Sequence, residues 1–266
     1  MQRGVSLMPP QTRTPSLARR LIRLARLALH VVRGLYIVST RYPRMTTTAK
    51  DRLLRRWSRE LLAIMRVKVR IVREPRRRPE RWLLVTNHVS WLDVFVIYAV
   101  APSLFVAKSE IRDWPVVGAL VSRVGTLFLE RGRSRHARET NGRIAQALAD
   151  GRAIAVCPEG TTSEGNELKR FHAALLQPAV DAQATVQPVA LRYRDAHGEP
   201  TTAAAYVGDT SLMTSVWRIL SHPGIQAEVR FTPAIATAGH DRRSLAHAAE
   251  TAIRQALGLA GGDRSH

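Results

Sequence analysis

The chain reads as an α/β protein: a mostly parallel sheet covered by helices on both faces, preceded by a basic amphipathic helical hairpin. Three observations carry that reading. From residue 82 onward, short apolar runs alternate with stretches of helical period, the pattern of strands joined by helices. Those runs are apolar almost throughout, as strands buried inside a sheet should be. The charge is also uneven. Residues 1–81 hold 22 Lys and Arg against four acidic residues, a net +18, whereas residues 82–266 hold 19 against 17. The formal charge of +20 therefore belongs to an N-terminal arm attached to a nearly neutral body.

Taken in order, residues 1–14 are polar and contain Pro9 and Pro10, a composition that predicts disorder. Residues 15–66 form the arm. Over 15–39, Leu17, Leu21, Leu24, Ala28, Val31, Leu35 and Val38 fall on one helical face, and Arg19, Arg23, Arg26, His30 and Arg33 on the opposite one. A helix of this kind lies in an anionic membrane interface, or packs its stripe on the body and leaves its arginines in water. Tyr42-Pro43 ends it. Thr47 or Thr48 can cap a second basic helix over about 49–65. Arginines at 19, 20, 23, 26 and 33 interrupt the best candidate for a spanning segment, and no uninterrupted apolar region precedes a small-residue cleavage site.

The body runs over 67–258. Val67–Ile71 alternates as a half-exposed strand, and Arg76-Arg77-Arg78 is a solvated loop. Strands are predicted at 83–86, 104–107, 126–129, 153–157, 186–193, 204–207 and 225–231. Helices are predicted from Ser90, through Trp114-Pro115, and over 134–150, 169–176, 211–220 and 243–257, with a flexible tail over 259–266. The lone Cys157 allows no intramolecular disulfide and, lying in an apolar run, reads as a buried structural thiol. No HExxH, cysteine pair or acidic cluster suggests a metal.

Two short motifs carry chemistry. Asn87-His88-Val89-Ser90-Trp91-Leu92-Asp93 places an imidazole and a carboxylate five positions apart, directly after one apolar run. Pro158-Glu159-Gly160-Thr161 follows another. In a parallel sheet the ligand site lies at the carboxyl ends of the strands, so these motifs converge there, together with Arg131, if the strands are neighbours. His88 then serves as a general base and Asp93 as the group that fixes its tautomer. That pairing requires His88 to lie before the helix and Asp93 in its first turn, because five residues along a helix do not share a face. Ser90 reads as a cap. Arg131 and Lys108 read as anion contacts or as ordinary surface cations.

These blocks resemble the lysophosphatidic-acid acyltransferase branch of the glycerolipid acyltransferase family. The matches run in order: Asn87-His88-x-Ser90-x-x-Asp93, Gly125-x-x-Phe128-x-x-Arg131, Pro158-Glu159-Gly160-Thr161 and Val186-Gln187-Pro188-Val189. Lys108-Ser109-Glu110-Ile111, Trp114-Pro115, Gly118 and Lys169-Arg170-Phe171 are also typical of the family. The resemblance implies transfer of an acyl group from a thioester of coenzyme A or acyl carrier protein to a lysolipid hydroxyl. No cofactor and no covalent acyl-enzyme are implied. It further implies that Glu159, Gly160 and Thr161 meet the acceptor, and that the protein sits peripherally on the cytoplasmic face of the inner membrane against anionic lipid. Two positions depart from the family's pattern. Cys157 stands where Phe is usual, and Thr162 where Arg is common, as in branches that acylate lyso-ornithine lipids. Nucleic-acid binding is the competing class for so basic a chain, but the body offers no basic stripe or aromatic stacking platform.

Overall fold

The computed structural model describes residues 14–73, 81–130 and 134–259. The segment before residue 14, the Arg76-Arg77-Arg78 loop, Arg131 and the tail after residue 259 lie outside the described residues.

The N-terminal arm is a helical hairpin. Helix α1 (Leu17–Thr40) starts at Ser16, whose hydroxyl accepts from the Arg19 amide. A 3₁₀ turn over Tyr42–Arg44, begun by Pro43, reverses the chain into α2 (Thr47–Ile64). The cap of α2 is Thr46, one residue earlier than expected. Its extended backbone lets the hydroxyl turn back onto the Ala49 amide.

Helix α1 divides its apolar surface. Leu27, His30, Gly34 and Val38 face inward, while Leu17, Leu21, Ile22, Leu29, Val32 and Tyr36 stay exposed. The expected single stripe is therefore split between two surroundings. His30, expected on the basic face, is 5% exposed and stacks on Trp57 of α2 at 4.4 Å between ring centroids. Gly34 permits that seam, because a Cβ there would lie 2.8 Å from Trp57 Nε1. Burial lowers the His30 pKa. No helix among the described residues is long and apolar enough to cross a membrane.

The body is a seven-stranded sheet of order β1-β7-β6-β2-β5-β3-β4. Its strands are β1 (Val67–Arg73), β2 (Trp82–Thr86), β3 (Leu104–Lys108), β4 (Leu127–Leu129), β5 (Ile154–Val156), β6 (Thr185–Arg194) and β7 (Ile225–Phe231). Every pairing is parallel except β6 with β7. Strand periodicity sorts the core into two halves. Trp82, Leu84, Ala155, Val189 and Leu191 face the hairpin, α3 (Leu92–Val100) and α7 (Leu212–Ser221). Leu83, Val85, Ile154, Val156 and Val186 face α5 (Ser134–Ala149), α6 (Gln177–Asp181) and α8 (Arg242–Leu257). The expected α/β architecture, covered on both faces, is the one observed.

Three local differences have physical reasons. Residues 204–207 are not a strand. Ala204 and Ala205 are buried, but this backbone bonds instead to the Arg218 guanidinium, through the Ala203 and Ala205 carbonyls, and to Val89. The helix expected over 169–176 begins only as a 3₁₀ turn at Ala173. Before it, the amides of Lys169, Phe171 and His172 are spent on Glu159, Glu250 and the Pro158 carbonyl. Between β3 and β4 the helical region through Trp114-Pro115 is broken into a 3₁₀ turn (Ser109–Asp113) and a separate α4 (Val117–Arg123). Val116 joins them with φ +66 and ψ −55, closing a tight turn in which the Val117 amide donates to the Pro115 carbonyl. That conformation is strained for a β-branched residue.

Candidate active site

Strand β2 ends at Thr86 and α3 begins at Leu92, so His88 lies before the helix and Asp93 in its first turn. The Asp93 carboxylate turns back over this loop. Its Oδ2 accepts from the amides of Val89 (2.8 Å) and Ser90 (2.9 Å) and from His88 Nδ1 (2.8 Å), and its Oδ1 accepts from the Tyr193 hydroxyl at 2.7 Å. Asp93 thus organises the loop that precedes the helix rather than the helix amides themselves. Ser90 contributes a longer bond, its hydroxyl accepting from the Leu92 amide at 3.3 Å. With Nδ1 donating to Asp93, the ring is fixed in the tautomer whose Nε2 can accept a proton.

Asn87 is fully engaged with the sheet. Its amide donates to the Leu191 carbonyl (3.0 Å), and its carbonyl oxygen accepts from the Leu191 amide (2.7 Å). A side chain thereby continues the β2–β6 ladder for one step beyond Thr86, and fixes where His88 starts.

Strand β5 delivers the second motif beside the first, since β2 and β5 are parallel neighbours with Val85 opposite Val156. Glu159 is 3% exposed, and both its oxygens are occupied by backbone amides: Oε1 accepts from His88 (2.7 Å), Oε2 from Lys169 (2.8 Å). The resemblance assigned Glu159 to the acceptor. In the structure it ties the histidine loop to the following segment, helped by the Ser163 amide donating to the His88 carbonyl at 2.9 Å. Burial pushes its pKa up to about 7, against the opposing effect of the Lys169 and His88 amides. Gly160 turns the chain at φ +67, which an L side chain would resist, and Thr161 lies exposed beyond it. The Thr162 hydroxyl donates to the Tyr206 carbonyl.

Below this edge lies a cavity of about 570 Å³. His88, Lys108, Cys157 and Gly160–Thr162 stand at its upper end. Its wall descends through Leu27, Val31 and Val38 of α1, Leu54 and Trp57 of α2, and Phe95 and Tyr98 of α3. Phe105, at the start of β3, and Val124 mark its depth toward the amino ends of the strands. The wall is almost wholly apolar. It suits a long hydrocarbon chain whose reactive end meets His88.

The position of Cys157 differs from expectation. It is half-buried rather than buried and lines this cavity, as His88 does. Burial disfavours charge on His88, but Cys157 and Asp93 outweigh it and hold the ring well above its ordinary 6.5. Tyr193 is the other participant not foreseen. Burial and the adjacent Asp93 carboxylate keep its phenol protonated, and so a hydrogen-bond donor. Both residues sit at inward positions of apolar strands and read there as core. Lys108 lines the cavity, while Arg131 lies outside the described residues. Among the described residues, no group of three or more His, Cys, Asp or Glu could hold a metal ion.

Comparison with known proteins identifies the family and the fold. The model of the acyltransferase family matches residues 66–192. A lyso-ornithine lipid O-acyltransferase of Pseudomonas aeruginosa is 38% identical over 245 residues, covering 90% of this chain and 93% of that one. A 1-acyl-sn-glycerol-3-phosphate acyltransferase of Neisseria meningitidis is 38% identical over 207 residues, covering 77% and 81%. The crystal structure of a 1-acyl-sn-glycerophosphate acyltransferase from Thermotoga maritima superposes with a TM-score of 0.64 at 20% identity, covering 93% of this chain, and shares its fold.

Two outcomes follow from the site. Glu159→Gln turns an amide donor toward one of two backbone donors, so stability should fall by about 1–3 kcal/mol and kcat should drop with it. Thermal melts and steady-state kinetics check this, and a change confined to KM, without loss of stability, would contradict the clamp. The second outcome concerns pH. A base must be neutral to accept a proton, so kcat/KM should rise with pH through a pKa above 6.5. Cys157→Ala removes one of the influences that raise His88, and should move that acid limb to lower pH. An unmoved limb would show that the thiol has no bearing on the base.

Proposed function

The chain belongs to the acyltransferase family and is an O-acyltransferase, and we propose that it moves a fatty acyl group from an acyl thioester to the free hydroxyl of a lysolipid, with His88 as general base. The observation that carries this reading is the His88–Asp93 pair, 2.8 Å apart, at the polar end of an apolar cavity. His88 Nε2 takes the proton of the acceptor hydroxyl as that oxygen attacks the thioester carbonyl. The tetrahedral adduct then expels the thiolate, and the imidazolium returns the proton to it. One ester forms, one thioester breaks, and one thiol leaves. Asp93 stabilises the transient imidazolium through Nδ1. The acyl chain lies in the cavity, and the donor is a thioester of coenzyme A or acyl carrier protein.

Two acceptors remain in play. Lysophosphatidic acid, giving phosphatidic acid, is supported by the Neisseria relative. A lyso-ornithine lipid is supported by the Pseudomonas relative and by Thr162. A threonine whose hydroxyl is spent on a carbonyl cannot clamp a phosphate as a guanidinium does. The hairpin supplies the membrane contact. The exposed residues of α1, Leu17, Leu21, Ile22, Leu29, Val32 and Tyr36, enter the interface of an anionic leaflet at the cytoplasmic face of the inner membrane, with neighbouring arginines at the headgroups.

The test is an assay in mixed micelles with an acyl thioester and each acceptor separately. Transfer is expected, and His88→Ala should lower kcat by about 10²–10⁴-fold without loss of fold. Undiminished transfer by that variant would remove the base assignment. Val38→Phe, near the depth of the cavity, should shift preference toward shorter acyl chains. An unchanged chain-length profile would place the acyl group elsewhere.

A further inference from the structure

A second concavity adjoins the catalytic one. It is a polar groove of about 440 Å³, walled by residues 161–164, 166, 167 and 169 and by Val207 and Gly208. Thr161 and Thr162 line both spaces, so the groove opens beside the reacting end of the apolar cavity. Its walls are held in register with the base by three bonds: Ser163 amide to His88 carbonyl, Thr162 hydroxyl to Tyr206 carbonyl, and Lys169 amide to Glu159. Glu164, Asn166 and Glu167 have no part in the chemistry described above.

The charge of the groove is what selects a ligand. Among the described residues lining it, two carboxylates, Glu164 and Glu167, stand against one ammonium, Lys169. The Lys169 Nζ lies 3.1 Å from the Thr162 carbonyl, to which it donates, and 3.9 Å from Glu167 Oε1. A phosphate monoester, carrying up to two negative charges, meets a net negative wall here, with no guanidinium among the described lining residues. A head that carries both an ammonium and a carboxylate is matched at both ends.

We propose that this groove is the acceptor's headgroup subsite and that it takes a zwitterionic lipid head of the amino-acid type. Glu164 and Glu167 receive the ammonium. Lys169, with the Thr161 hydroxyl and the Asn166 amide, receives the carboxylate. The assignment rests on the acyl-transfer reading, and it makes lyso-ornithine lipid a better acceptor than lysophosphatidic acid.

The full chain in mixed micelles tests it, with initial rates taken over a range of each acceptor for the wild type, Glu164→Gln, Glu167→Gln and the double variant. Both glutamates are exposed, so the folds should be unaffected. For lyso-ornithine lipid, KM should rise roughly fivefold in each single variant and further in the double one, with kcat within about twofold. For lysophosphatidic acid, KM should stay level or fall as the repulsion is removed. An unchanged KM for the zwitterionic acceptor overturns the assignment, and so does an equal rise for both acceptors. Wild-type transfer to lysophosphatidic acid alone also overturns it while leaving acyl transfer standing. Transfer to neither acceptor would overturn both readings together.

Discussion

The Asp93 carboxylate has none of its surface exposed, and a bare anion there would be untenable. It is held by four donors, the amides of Val89 and Ser90, His88 Nδ1 and the Tyr193 hydroxyl. Removing one partner of a buried charge typically costs several kcal/mol, about 3–5 for a broken pair. Most of what surrounds the site can be traced to meeting that requirement. The loop after β2 folds back because its amides must reach Asp93, which places that carboxylate in the first turn of α3. The imidazole points where it does because its Nδ1 is one of the four donors.

The remaining constraints come from strand order. Parallel pairing of β2 with β5 and β6 brings three strand ends together, and each contributes one fixing element. Asn87 extends the β2–β6 ladder, Glu159 bridges from β5 to the His88 amide, and Tyr193 reaches Asp93 from β6. Only the imidazole and its cavity neighbours are left to face a substrate. The polar segment 161–169 inherits its position from the same bonds, so the groove beside the cavity and the base share one scaffold.

Much of this was legible in the sequence. Apolar runs such as Leu83–Thr86 and Ala153–Cys157 announced strands, and the five-residue spacing of His88 and Asp93 made sense only as loop-then-first-turn, which is how they lie. What escaped detection shares a cause. Tyr193 and Cys157 occupy inward positions, where period-two reasoning says "core" and cannot distinguish packing from partnership. Glu159 meets backbone amides 71 and 10 positions away, which no local pattern encodes. Residues 204–207 looked like a strand because small apolar residues there are indeed buried, but side-chain donors replaced a neighbouring strand. His30 followed the helical wheel onto the polar face, yet the wheel knows nothing of Trp57 or of the space that Gly34 leaves for it.

The two walls of the apolar cavity belong to different cooperative units. The His88 loop is tied to the central strands, whose amides are paired on both flanks, and to Glu159 and Asn87, so it should be among the last parts to open. The hairpin side is held to the body by side-chain packing and isolated bonds such as Arg23 to the Leu220 carbonyl and Tyr42 to the Val124 carbonyl. A sub-global opening can therefore swing the hairpin wall outward while the catalytic loop stays native. In exchange experiments the protein would then show two protection classes meeting along one cavity, the slower one on the His88 side.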